Sequence, residues 1–139
     1  LEEDMKKYIS TNNLKGVELL GRVSDEVLKE SYEWSDIFIN TTNIDNQPVT
    51  VLEAMTCGCP VVSTNPGGVP DIIEHKYNGL LCNTNDINEM ASNIHLIHNN
   101  SQLFSTLSSN GREFIENNFS GKLIYKKWQG IYSEIDFKM

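Results

Sequence analysis

Two carboxylates, Asp45 and Glu53, bracket the part of this chain best suited to chemistry. Asp45 sits in the polar run Thr41-Thr42-Asn43-Ile44-Asp45-Asn46-Gln47-Pro48, and Glu53 falls in the first turns of a helix expected from about Val49 to Thr56. A helix start presents unpaired amide N–H groups and the positive end of the helix dipole, which suits a phosphate. Acidic side chains at that edge repel phosphate, but they accept hydrogen bonds from the hydroxyls of a ribose or a sugar ring. Purely structural roles fit the same residues. Thr50-Val51-Leu52-Glu53 has the spacing of a capping box, in which the Thr caps the helix and the Glu reaches back. Asp45-Asn46 equally suits an ordinary polar turn. Spacing leaves both alternatives open.

The elements that would position these residues follow from hydrophobic periodicity, which switches repeatedly between extended and helical. Residues 1–13 read as a helix with Leu1, Met5, Tyr8 and Ile9 on one face. Val17 to Val23 reads as a strand, and Ser24-Asp25 as the cap of a helix over 26–34 carrying Val27, Leu28 and Tyr32. Asp36 to Asn40 and Pro60 to Thr64 read as further strands, and Asn78 to Cys82 as a turn and a fourth strand. Between the last two lie the turn Asn65-Pro66-Gly67-Gly68 and a short helix from Pro70 to Glu74. Three helices close the chain, over 86–98, 102–117 and a last one capped by Ser120 that carries Ile124, Trp128, Ile131 and Ile135. Strands alternating with helices predict an α/β fold, a Rossmann-like parallel sheet with helices on both faces. Right-handed crossovers place the loops 22–25, 41–48 and 65–69 at the carboxyl ends of the strands, where open sheets bind ligands. The chain opens on a helix rather than a strand, so a first strand is expected upstream of Leu1.

Composition narrows the function classes. The 139 residues fit one domain, and 39% hydrophobic against 22% charged residues allows a packed core. Eleven basic against nineteen acidic residues give a net charge of -8, without the basic face that binding to nucleic acid requires. No apolar run approaches the length of a membrane span, and the acidic start Leu1-Glu2-Glu3-Asp4 does not read as a signal peptide. Three cysteines, Cys57, Cys59 and Cys82, read as reduced packing residues of a cytoplasmic protein rather than a disulfide framework or redox pair.

The run Asp45-Asn46-Gln47-Pro48-Val49-Thr50-Val51-Leu52-Glu53-Ala54-Met55-Thr56-Cys57-Gly58-Cys59-Pro60-Val61-Val62 resembles the donor-binding, C-terminal domain of GT-B retaining glycosyltransferases of group 1, or family 4. That signature is an acidic residue, seven residues, Glu-Ala-Met, a small residue, Gly and Pro-Val-Val. Leu20-Gly21-Arg22-Val23, Ser35-Asp36-Ile37-Phe38-Ile39, Asn65-Pro66-Gly67-Gly68-Val69-Pro70-Asp71-Ile72-Ile73 and Asn78-Gly79-Leu80-Leu81 match flanking features in order. The resemblance implies that Glu53 accepts hydrogen bonds from the ribose of a UDP-, GDP- or ADP-linked sugar and that Asp45 faces the donor-sugar hydroxyls. Backbone at Asn46, Gln47, Pro48, Val49 and Thr50 would hold sugar and diphosphate. Arg22-Val23 would contact the base, and Gly67-Gly68 would shape the cleft. It implies metal-independent transfer with no further cofactor, in polysaccharide or glycoconjugate synthesis. It also implies that residues 1–139 are a domain truncated at its N-terminus, with an acceptor-binding N-terminal domain elsewhere. Asp45 stands where the family usually carries Glu, and Asn46-Gln47-Pro48-Val49 departs from its usual Gly/Ala-Phe-Gly-Leu. A nucleotide-sugar epimerase of the same fold and a non-catalytic binding module are the alternatives.

Other residues carry less. His95 and His98 stand three apart on one helix, a metal-ligand spacing without an apparent third ligand. His75 is placed to cap the short helix before it. Trp128 and Tyr132 are expected to pack the last helix on the sheet. Lys122, Lys126 and Lys127 read as a solvated face or as a peripheral contact with the inner face of a membrane.

Overall fold

The computed structural model describes residues 2–135. Its elements are α1 (Glu2–Thr11), α2 (Asp25–Trp34), β1 (Phe38–Asn40), α3 (Val49–Thr56), β2 (Val61–Thr64), a 3-10 turn (Val69–Asp71), β3 (Leu80–Cys82), α4 (Ile87–His98), α5 (Ser101–Phe119) and α6 (Gly121–Glu134). The strands form one parallel sheet in the order β1-β2-β3, with Phe38 opposite Val61 and Val62 opposite Leu80.

Both faces of the sheet are covered, and β2 shows why. Its side chains alternate between two clusters, as a pleated strand requires. Val61 packs with Tyr32, Val51, Ala54, Met55 and Ile115, supplied by α2, α3 and α5. Val62 packs with Leu80, Ile97 and Leu107, backed by Ile94 and Leu103 from α4 and α5. All four β2 residues are buried, which explains their unbroken β-branched and small character. Helices α4 and α5 start on side-chain caps, Asp86 accepting from the Glu89 N–H and Asn100 from the Leu103 N–H.

Two expectations are corrected. Residues 17–23 form no strand. A strand needs a hydrogen-bonded neighbour, and among the described residues this run has none; Val17 is 49% and Leu20 54% exposed. Helix α1 forms where its periodicity predicts it and buries no residue, with Met5 and Tyr8 exposed; Leu1, placed on the same face, lies outside the described residues. On α6, Trp128 and Tyr132 do not reach the sheet. They stack on each other with ring centroids 5.7 Å apart and stay 52% and 58% exposed. The helix contacts α5, Leu123 and Ile124 are its half-buried residues among those described, and Ser120 takes its N-cap position without a side-chain hydrogen bond. Ile135 lies just past the helix end.

Candidate functional site

The carboxyl ends of the strands feed the loops 41–48, 65–68 and 83–86, as a parallel sheet demands. Side chains tie this edge together. Asn40 Nδ2 donates to Ser63 Oγ at 3.0 Å, Ser63 Oγ to the Thr64 carbonyl at 2.7 Å, and Thr64 Oγ1 to the Thr42 carbonyl.

Loop 41–48 is then clasped by the next loop. The Gly68 N–H donates to the Asp45 carbonyl at 3.1 Å. The two backbones approach so closely that a β-carbon at Gly67 would lie 2.0 Å from the Asp45 carbonyl oxygen, and one at Gly68 1.9 Å from that of Asn46. Gly67 also has φ +56, a left-handed conformation that side chains disfavour. Both glycines are therefore steric necessities of the clasp, and Gly67-Gly68 is brought directly against Asp45-Asn46.

Within the clasp Asp45 is half-buried, and its Oδ1 accepts the Gln47 N–H at 3.0 Å. The polar-turn reading of Asp45 is thus realised, and the Gln47 amide is occupied. Pro48, the N-cap of α3, has no N–H, so the expectation that backbone amides from Gln47 through Thr50 present donors narrows to Val49 and Thr50. Both residues are exposed, and their amides have no acceptor among the described residues. Helix α3 carries no acidic residue in its first turn, so its positive end is uncompensated there.

The capping box does not form. Pro48 occupies the cap with no side-chain hydrogen bond, which puts Thr50 inside the helix. Glu53 instead projects sideways toward α2, where its Oε2 accepts from the Tyr32 hydroxyl at 3.2 Å. Its other carboxylate oxygen accepts no protein hydrogen bond among the described residues. Glu53 and Tyr32 line a cavity of about 290 Å³ between α2 and α3, completed by Asp25, Leu28, Lys29, Thr56 and Cys57. Asp45 is not among those lining residues. Exposed Arg22 and half-buried Val23 precede Ser24, whose Oγ caps α2 by accepting the Val27 N–H at 3.4 Å. They stand at the entry to α2 rather than in the cavity wall. Tyr32 is the candidate-site residue that sequence reasoning missed, placed there only at helical spacing on the 26–34 helix. Its sequence signal was the helical spacing from Leu28, which turns it toward α3.

Burial, and then the charge of Glu53, push the Tyr32 phenol up to about 12, so it remains a hydrogen-bond donor at neutral pH. Burial likewise raises the Cys59 thiol to about 11 and moves Cys57 and Cys82 upward. All three are free thiols, Cys57 half-buried and the others buried. His75 does not cap a helix; its Nδ1 accepts the Leu81 N–H at 3.0 Å and pins β3. His95 and His98 are exposed, and no group of three or more potential metal ligands occurs among the described residues.

With this geometry in place, similarity to known proteins becomes interpretable. Residues 1–114 match the family model described as glycosyl transferases group 1. The chain belongs to that family. It is 33% identical over 132 residues to an uncharacterized glycosyltransferase of Haemophilus influenzae, covering 94% of this chain and 36% of that protein. It is 26% identical over 130 residues to the capsular polysaccharide biosynthesis glycosyltransferase CapM of Staphylococcus aureus, covering 94% and 34%. Among solved structures, a mutant of S. aureus TarM in complex with fondaparinux, α-GlcNAc-glycerol and UDP superposes with a TM-score of 0.84 at 30% identity, covering 94% of this chain and 26% of TarM. This group 1 domain therefore spans about a third of its relatives' length, with a parallel sheet and flanking helices that form half of a GT-B fold. No helix among the described residues is long and apolar enough to cross a membrane.

Proposed function

We propose that this domain is the donor-binding, C-terminal half of a retaining, family 4 glycosyltransferase that transfers a sugar from a nucleotide sugar, working with an acceptor-binding N-terminal domain. The observation that carries the reading is the placement of Glu53. Among the described residues, one of its carboxylate oxygens has no protein partner; it lies beside a cavity of about 290 Å³ and about one helical turn from the Val49 and Thr50 amides, which are likewise without acceptors there. A vicinal diol matches the acceptor, and a diphosphate matches the amides and the helix dipole. The relative crystallised with UDP, TarM, lends the same support.

In this reading the nucleoside enters between α2 and α3, with its ribose on Glu53 and its base toward the backbone of Arg22-Val23. The diphosphate sits on the N-terminus of α3. As the glycosidic bond breaks, charge grows on the departing diphosphate, and fixed amide dipoles stabilise it without reorganising, so no metal is assigned. Asp45, held by the Gly67-Gly68 clasp, addresses the donor-sugar hydroxyls. Its fixed Asx turn leaves Oδ2 to do so. The likeness to CapM supports a role in polysaccharide or glycoconjugate synthesis. In the same proposal the domain stands on the cytoplasmic side, with Lys122, Lys126 and Lys127 as the basic side chains that would meet an anionic inner membrane face.

Calorimetric titration of UDP, GDP and ADP tests this. One base should be preferred, and Glu53→Gln should weaken binding of that nucleotide while the melting temperature holds. Absence of binding to all three refutes the assignment.

A further inference from the structure

Glu53 is a flexible side chain, half-buried on the flank of α3 that faces α2, and a carboxylate without a partner there would sample several rotamers. Tyr32 removes that freedom. The tyrosine is buried, and its ring meets Phe38 edge-on at 5.5 Å and 75°. Its hydroxyl therefore projects from a fixed ring on the sheet's helix-covered face, and it donates to Glu53 Oε2 at 3.2 Å. A carboxylate pinned through one oxygen presents the other in a defined direction.

We infer that Tyr32 is a positioning residue, which anchors Oε2 of Glu53 so that the opposite oxygen faces the cavity preorganised for the ribose diol. The inference rests on the donor-binding reading above. Tyr32 itself need not touch the nucleotide. Its hydroxyl acts through Glu53, by sparing the carboxylate the ordering that binding would otherwise require. Fixation of a carboxylate by a neutral donor also keeps its charge, whereas an Arg or Lys partner would compete for it.

The test is Tyr32→Phe in the full chain, which deletes the hydroxyl and keeps the ring and its contact with Phe38. The probes are whichever of UDP, GDP and ADP the protein prefers and the 2′,3′-dideoxy form of that nucleotide. Wild-type protein should discriminate against the dideoxy form. Tyr32→Phe should bind the ribonucleotide about three- to tenfold more weakly and the dideoxy form unchanged, so that discrimination collapses. In the Glu53→Gln background the same change should have no further effect on discrimination, because the two residues act as one unit. A merely structural tyrosine would weaken both probes together or lower only the melting temperature, and either result overturns the inference. If Glu53→Gln abolishes discrimination while Tyr32→Phe leaves it intact, positioning fails and ribose recognition stands. If wild-type protein shows no discrimination, both fall.

Discussion

The clasp between residues 45–46 and 67–68 admits a quantitative perturbation, because the two glycines fail for different reasons when given a side chain. Real β-carbons essentially never come within 3.0 Å of such atoms, yet at Gly67 the Asp45 carbonyl oxygen would be 2.0 Å away. Gly67→Ala must push the loops apart by roughly 1 Å. That displacement breaks the 3.1 Å bond from the Gly68 N–H to Asp45, worth about 1 kcal/mol. The left-handed backbone at φ +56 adds a penalty of about 1–2 kcal/mol for any L side chain. The expected loss is about 2–3 kcal/mol. Gly68 has φ -89, which any residue adopts, so Gly68→Ala should lose only the clasp, about 1–2 kcal/mol. Gly130, inside α6 with open space around it, supplies the opposite sign, and Gly130→Ala should add about 1 kcal/mol. Urea denaturation followed by tryptophan fluorescence measures all three. If Gly67→Ala matches wild type within about 0.5 kcal/mol, or costs less than Gly68→Ala, the close backbone approach is not what the glycines serve.

In an absorbance titration near 295 nm one of the five tyrosines should ionise near pH 12, and Glu53→Gln should lower that value. Because the unfolded phenol ionises near 10, stability should hold below about pH 10 and fall by roughly 2–3 kcal/mol between 10 and 12. Asn78 is buried, with Nδ2 donating to the Ile72 carbonyl at 3.0 Å and Oδ1 accepting the Glu74 N–H at 2.8 Å. Asn78→Ala strands both groups and should cost about 2–4 kcal/mol in the same denaturation assay. Alkylation at neutral pH should be slow at all three raised thiols and reach half-buried Cys57 first; the preferred nucleoside diphosphate should protect it, since Cys57 shares the cavity with Glu53, and mass spectrometry locates the adduct.

Where local chemistry decides an element, the sequence was enough. Ser24 as a cap and the stop of α3 at Cys57-Gly58 are both observed, and β2 starts at Val61, one residue inside the expected Pro60 to Thr64. Gly58 takes φ +76, and its N–H and that of Cys59 fold back on the Met55 and Ala54 carbonyls, a termination that needs only the glycine. Where an element depends on a distant neighbour, periodicity was blind. The 17–23 run has strand composition, but extended backbone becomes a strand only against a partner. Trp128 and Tyr132 have helical spacing, yet spacing says which face is apolar and not what covers it. The Gly-Gly turn was legible as a turn, whereas the carbonyls of Asp45 and Asn46 that make alanine impossible there come from another loop.

Glu53 shows the same division at the site. Its sequence neighbours satisfy the capping-box rule, and that local rule competes with a long-range one. The rule requires Thr50 at the N-cap, but Pro48 starts α3 two residues earlier because its lost N–H costs nothing at a helix entrance and its carbonyl accepts from Val51 and Leu52. That shift places Glu53 a turn into the helix, too far along to reach back to the cap. The carboxylate is then free to meet Tyr32 across the interface with α2. The helix start at position 48 thus leaves Glu53 to the cavity rather than to the cap. Pro48→Ser, by restoring a capping side chain in place, should stabilise α3 by about 0.5–2 kcal/mol without drawing Glu53 away from Tyr32. A smaller alkaline shift of the Tyr32 phenol in that variant, since Glu53 adds to the larger effect of burial, would show that the two roles do compete for the same carboxylate.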